Sequence, residues 1–321
     1  MQVPDEIRDC VAFVCYRDAN GSIQLAGTTF ALAFDTLSGG RSFLYLVTAK
    51  HVIDGVRAYS QDGRVLIRVN TKAGGLLFVE SEVADWYFHP DDTSVDVAVL
   101  PAVLQWEALD LRAVPLDMLA TPSVIEKEHI GVGDEVFITG LFVNHAGEEH
   151  NLPIVRTGNI ALMPEEKVAA GLPFGPMDAY LVEARSIGGL SGSPAFVHLG
   201  IYRIDDAGQW TMNTSGWKYV YWLGLVHGHW DAHPGKRDDY AFESAEAVNK
   251  GIAIIVPAGK VIEVLNQKDL ADDRDRRRAE DAAEPTPTQD IIKPGFSKSD
   301  FSDALEKVSR RKKSSEPGQA S

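Results

Sequence analysis

The sequence predicts an all-β fold, a barrel or a sandwich. Three observations carry that prediction. Apolar, β-branched runs of strand length recur along the chain, Gly, Asp, Asn and Pro punctuate them, and helical periodicity is scarce. The runs occupy residues 10–16, 28–34, 43–48, 65–69, 76–79, 95–100, 135–139, 159–162, 179–183, 193–197, 219–226 and 251–256, each with turn signals at its ends. The run 43–48, Phe-Leu-Tyr-Leu-Val-Thr, shows the type: aromatic and branched residues that fit a pleated surface. One short helix is expected at 257–265, where Val261, Ile262 and Leu265 are the apolar positions.

The chain has 321 residues, enough for one large or two modest domains, and 45% of them are apolar. Its formal charge of −15 belongs to residues 1–270, because basic and acidic groups balance in 271–321. A strongly acidic body argues against sequence-independent nucleic-acid binding, which needs a basic footprint. It argues equally against docking on anionic lipid. Cys10 and Cys15 are the only cysteines, five apart in an apolar run, so on a strand they face opposite ways. They read as two buried thiols, and such poverty in disulfides favours a reducing compartment. The N-terminal residues lack a basic n-region and a long apolar h-region, and no run approaches bilayer-spanning length. The expectation is a cytoplasmic protein.

Character changes near residue 270. Residues 272–284 are almost all charged or alanine, and Pro285-Thr286-Pro287-Thr288 reads as linker. The domain is therefore expected to span 1–270, followed by a mostly disordered tail at 271–321. Phe301, Leu305 and Val308 allow a short helix near 299–311. It reads either as a transient turn in that tail or as a docking peptide for a regulatory protein partner.

The chemistry sits in Gly189-Leu190-Ser191-Gly192-Ser193-Pro194. Glycines let the backbone turn sharply and approach a substrate without a Cβ in the way. Such a turn can aim two backbone N–H groups at one point, and those of Gly189 and Ser191 are the candidates. A serine hydroxyl needs a base, and histidine is the natural one near neutrality. A carboxylate must then hold the imidazole in one tautomer. His51 follows the 43–48 run at the expected strand end. Asp96 is the one polar residue in Val95-Asp96-Val97-Ala98-Val99-Leu100, where an unpaired buried charge would be costly. The chain order is His51, Asp96, Ser191.

Further blocks accompany these: Gly27-Thr28-Thr29-Phe30, Thr48-Ala49-Lys50-His51, Gly133-Asp134-Glu135-Val136, Thr157-Gly158-Asn159-Ile160, Gly224-Leu225-Val226 and Gly251-Ile252-Ala253-Ile254-Ile255-Val256-Pro257. As an ordered set over residues 8–266 they resemble the chymotrypsin-like (trypsin-like) serine peptidases, nearest in style to the bacterial HtrA/Deg-type protease domain. The resemblance implies two six-stranded antiparallel barrels, one over about 8–110 and one over about 130–266, with a seam in 104–130. It places His51 and Asp96 on the first barrel and Ser191 on the second. Two departures stand out. Leu190 replaces the acidic or amide residue before the nucleophile, so the switch in which a new N-terminus pairs with an Asp is unavailable. The 51 residues after 270 are too few and too polar for a PDZ domain.

By the same resemblance the substrate pocket is bounded by Arg185, Ser186, His227, Gly228 and His229. Arg185 stands where trypsin-like enzymes carry an acid; facing the pocket it would favour an acidic side chain, and it reads equally well as facing solvent. His227, His229 and His233 form an H-x-H-x3-H pattern, which reads more readily as a histidine-rich loop beside a cleft than as a metal site. The expected function is a serine endopeptidase acting on protein or peptide substrates, with no metal and no cofactor called for. The competing reading is a latent or inactive binding module on the same fold, acting through a partner.

Overall fold

In a computed structural model, the structure describes residues 3, 5–36, 42–102, 106–170, 175–184, 189–200, 202–204, 208–212, 220–232 and 248–283. The expected tail helix near 299–311, Arg185, Ser186 and His233 lie outside the described residues. The described chain is mostly β, and none of its helices is long and apolar enough to cross a membrane.

The first half runs α1 (Asp5–Arg8), β1 (Val11–Arg17), β2 (Ile23–Thr36), β3 (Ser42–Thr48), α2 (Lys50–Tyr59), β4 (Arg64–Asn70), β5 (Leu76–Glu82), β6 (Tyr87–Phe88), β7 (Ala98–Pro101) and β8 (Ala113–Pro115). Its strands form one sheet in the order β5-β4-β1-β2-β3-β7-β6, with β8 added parallel to β2. Where a closed six-stranded barrel was expected, the described residues give an open sheet with β5 and β6 at its two ends. Those strands are the exposed ones: β5 buries none of its residues fully, and β6 is two residues long. Strand β1 by contrast is buried from Val11 to Cys15. Both cysteines are buried free thiols, and burial pushes the Cys15 thiol up to about 12 and Cys10 higher still.

The second half runs α3 (Pro122–Lys127), β9 (Glu135–Gly140), β10 (Ile154–Leu162), β11 (Val168–Ala169), β12 (Pro176–Met177), β13 (Tyr180–Glu183), β14 (Pro194–His198), β15 (Tyr202–Ile204), β16 (Trp210–Met212), β17 (Val220–Ala232) and β18 (Val248–Pro257). Six of these strands close into an antiparallel barrel, β10-β13-β18-β17-β14-β9. Alternating inward residues fill it: Val136 and Ile138 from β9, Ala195 and Val197 from β14, Ala253 and Ile255 from β18. At about 1.5–3 kcal/mol for each fully buried aliphatic side chain, this core outweighs any single polar contact on the barrel.

The halves are stitched together. Leu119 bridges to Trp222 of β17, and the Ala120 N–H donates to the Trp222 carbonyl (3.0 Å). Trp222 is fully buried and meets Phe30 of β2 edge-on, with ring centroids 5.4 Å apart. Trp210, in contrast, is largely exposed.

Two helices close the described chain: α4 (Ala258–Leu265), as expected, and α5 (Lys268–Ala283). The boundary expected at 270 therefore falls inside a helix, and residues 271–283 belong to the folded body. Arg274 is the reason. It is buried, its guanidinium donates to the Leu265 carbonyl (2.7 Å) and the Tyr45 hydroxyl (3.1 Å), and it lies over the Phe34 ring.

Candidate active site

Register brings Asp96 and His51 together. Strands β3 and β7 are antiparallel with Thr48 opposite Ala98. The chain leaving β3 and the chain entering β7 therefore lie at one end of the sheet, three residues from His51 and two from Asp96. Asp96 sits in the extended lead into β7, not within the strand as expected. His51 is the second residue of α2. Ala49 precedes that helix and offers no side-chain cap. Asp96 supplies the missing acceptor, because its Oδ1 receives the His51 backbone N–H at 2.8 Å and so satisfies one of the donors a helix N-terminus leaves open. The helix dipole also favours a carboxylate there. Val52, Ile53 and Val56 bury the opposite face of α2, which fixes its position.

The other carboxylate oxygen, Oδ2, contacts Nδ1 of His51 at 2.7 Å. It also contacts Nδ1 of His227 at 2.5 Å. An ionised carboxylate has lone pairs only, so both imidazoles must present Nδ1–H to it. That leaves Nε2 of His51 as an acceptor. Asp96 is fully buried, His227 nearly so, and His51 is part-exposed. Burial alone would raise the Asp96 pKa. The electrostatic attraction of His51 and the hydrogen bonds from His227 and His51 outweigh it and hold the carboxyl well below its usual range.

His227 reaches Asp96 because β17 carries a bulge. Val226 pairs with Ile255 and Gly228 with Ile254, so His227 is the extra residue between them. A bulge re-aims a side chain and frees a residue's backbone groups from the ladder. Its carbonyl is then available to Ser191, whose Oγ–H donates to it at 3.1 Å.

The glycine-rich turn is seated against the first half. The Thr28 N–H donates to the Ser191 carbonyl (2.9 Å), and the Thr28 hydroxyl donates to the Gly189 carbonyl (2.8 Å). A Cβ on Gly192 would stand 2.1 Å from the Thr28 carbonyl oxygen and 2.2 Å from the Thr48 hydroxyl, so only glycine fits; its φ of +84° also requires one. A Cβ on Gly27 would meet Val52 of α2 and the Ser191 carbonyl together, which puts the serine beside the first turn of the His51 helix. Gly189 has φ +98°, and neither its N–H nor that of Ser191 has an acceptor among the described residues. Leu190 is buried in the barrel core, an apolar side chain in an apolar setting.

Of the residues singled out in the sequence, His51, Asp96, Ser191, Gly189 and His227 converge. Gly228 and His229 follow on β17, opposite Ile254 and Ala253 of β18. The aspartate–histidine pair is formed, but Ser191 does not hydrogen-bond His51; its hydroxyl is turned to His227. The role of His227 as a second partner of Asp96 was not foreseen. The only available signal was a histidine continuing a buried apolar strand, which needs a polar partner. Nothing in the block Gly27-Thr28-Thr29-Phe30 marks Thr28 as the residue that holds the turn through both its N–H and its hydroxyl.

Three ligand-type atoms of His51, Asp96 and His227 lie within 4.8 Å of one another. Contacts of 2.7 and 2.5 Å are hydrogen-bond spacings, whereas ligands on a tetrahedral zinc sit roughly 3.3 Å apart. The cluster is spaced for shared protons. A separate recess of about 400 Å³, lined by Glu135, Thr157, Gly158, Asn159 and Glu183, lies at the opposite end of β9 from Gly140 and touches none of these groups. Compared with known proteins, the sequence matches no family model and no curated protein.

Proposed function

We propose that the chain is a serine endopeptidase of the chymotrypsin-like type, its open first sheet and closed second barrel corresponding to the two barrels of that fold. The observation that carries the reading is the pair of hydrogen bonds that His51 donates to Asp96, backbone N–H and ring Nδ1–H each to one carboxylate oxygen, beside a glycine turn that presents Ser191. In the reaction, Ser191 Oγ attacks the peptide carbonyl as its proton passes to Nε2 of His51. The Gly189 and Ser191 N–H groups receive the oxyanion. His51 then gives the proton to the leaving amine, and water releases the acyl group by the same route. Asp96 keeps His51 in the Nδ1–H tautomer and faces the imidazolium that forms. The substrate is a protein or peptide, and β17 at 227–229 offers backbone groups to an extended segment. The two buried thiols fit a reducing, cytoplasmic setting.

One observation favours a second reading, an enzyme that is latent until a partner or substrate binds. The Ser191 hydroxyl is committed to the His227 carbonyl and must rotate to reach His51. Hydrogen bonds of this kind commonly tighten only when substrate is bound. A fluorophosphonate probe separates the readings. Wild-type protein is expected to be labelled at Ser191, and Ser191→Ala abolishes the label. Wild-type protein that stays unlabelled alone but is labelled after a peptide library or cell extract is added indicates latency. Absence of label under every condition sinks both readings.

A further inference from the structure

We propose that His227 is a positioning residue of this site, which holds the acid through its side chain and the nucleophile through its main chain. The inference rests on the hydrolytic reading above for its kinetic arm only. Three donors converge on Asp96: the His51 N–H on Oδ1, and the Nδ1–H groups of His51 and His227 on Oδ2. The titratable groups that face this carboxylate are His51 from α2 and His227 from β17. The two rings meet edge-on, with centroids 5.3 Å apart. His227 thus adds a third donor, from β17, that constrains the plane of the carboxylate. With the carboxylate fully buried, loss of that donor leaves a lone pair facing a dry pocket. The carboxylate then relaxes by turning, and His51 turns with it.

The same residue's carbonyl accepts the Ser191 Oγ–H, and the Val226 N–H donates to the Ser193 carbonyl just beyond the turn (2.8 Å). The bulge at His227 is what makes both contacts available at once. An ordinary ladder residue would have its carbonyl engaged by β18 or its side chain directed elsewhere. The arrangement ties the orientation of the base and the resting place of the nucleophile to one position on β17.

The test uses the full chain and two substitutions. Asn places an amide N–H where the histidine Nδ1–H stands; Leu removes the donor and keeps the bulk. His227→Leu is expected to slow fluorophosphonate labelling at Ser191 tenfold to a hundredfold, the scale of a small misplacement of a reacting group. His227→Asn is expected to restore labelling to within about threefold of wild type, since it keeps the donor. In parallel, Ser191→Ala protein with 15N-labelled histidine should show two far-downfield Nδ1–H resonances. In the Ser191→Ala, His227→Leu double variant one should vanish and the other move. A single downfield resonance in the parent, or an unmoved His51 resonance after His227→Leu, overturns the proposal. So does labelling by His227→Leu at the wild-type rate, or His227→Asn as slow as His227→Leu, which would make the position a packing site only. The resonances do not depend on hydrolysis. Two resonances that respond to His227→Leu, in a protein that never takes the probe, would support the shared carboxylate while rejecting the peptidase reading.

Discussion

At the scale of single residues, Asp96 joins fold and chemistry. Its carboxyl titrates below the usual range in the folded protein, because His51 and His227 offset the cost of burial. In the unfolded chain it returns to an ordinary value near ~3.9. A folded pKa below the unfolded one means that ionised Asp96 stabilises the fold. That contribution is complete above about pH 5 and is lost as the pH falls through 4 toward the folded value. Asp96→Asn is expected to cost about 3 kcal/mol at pH 7, where two imidazoles and a helix N-terminus lose their anion. The gap between wild type and variant should narrow between pH 5 and pH 3. Urea unfolding at pH 7, 5 and 3 measures it, and a gap independent of pH would show that Asp96 does not titrate with the fold. His51 and Asp96 were legible in the sequence because each lies within a few residues of a strand whose apolar pattern is plain. The partnership with His227 was not legible. It depends on one extra residue in β17, and a bulge leaves no mark in the alternation of residue types.

At the scale of elements, α5 shows how charge hides structure. Its sequence, Lys268 to Ala283, is dominated by Arg, Asp and Glu, and from residue 271 on it reads as disordered tail. The helix packs through one apolar side chain, Leu270, buried in the core, and otherwise through guanidinium groups. Arg274 lies over Phe34 with its centre 4.7 Å from the ring centroid, and Arg278 lies over Phe43 while pairing with Asp35. Ion pairs one turn apart, such as Arg277 with Asp273, support the exposed side. Hydrophobic periodicity cannot find such an element, whereas the core strands, several buried residue after residue, show in the sequence as apolar runs, although β2, β10 and β17 extend well beyond theirs. Arg274→Ala should destabilise the protein by about 2–4 kcal/mol, because it strands the Tyr45 hydroxyl and the Leu265 carbonyl and removes a desolvated cation–π contact. Arg278→Ala, at a half-buried position, should change stability much less. Thermal unfolding of the two variants checks the ranking, and equal losses would mean that α5 is held by something other than its buried arginine.

At the scale of the whole molecule, the glycine-rich turn of the second half is also the rivet between the halves. Its carbonyls at Gly189 and Ser191 are held by Thr28 of β2, and the Gly192 N–H donates to the Val226 carbonyl of β17 (2.8 Å). Thr28 in turn receives the Leu141 N–H on its hydroxyl (2.8 Å), and its carbonyl accepts the Thr48 hydroxyl (2.6 Å). Strands β2, β3, β9 and β17 therefore meet around one six-residue segment, which is why Ser191 lies where the two sheets approach. A cut here should be felt globally. Gly192→Ala must place a methyl about an ångström inside contact distance of two oxygens, at a φ that L-residues avoid. Gly21 has a similar φ, +77°, but nothing within 4 Å, so it isolates the backbone part of the cost. Gly21→Ala should cost about 1–2 kcal/mol. Gly192→Ala should exceed it by at least about 2 kcal/mol, since neither neighbouring oxygen can yield without breaking a hydrogen bond between elements. It should also weaken the near-ultraviolet circular dichroism of Trp222, whose ring packs on Phe30 across the same seam. If the two alanine variants unfold together and keep the same aromatic signal, the turn does not rivet the halves, and the serine owes its position to the barrel alone.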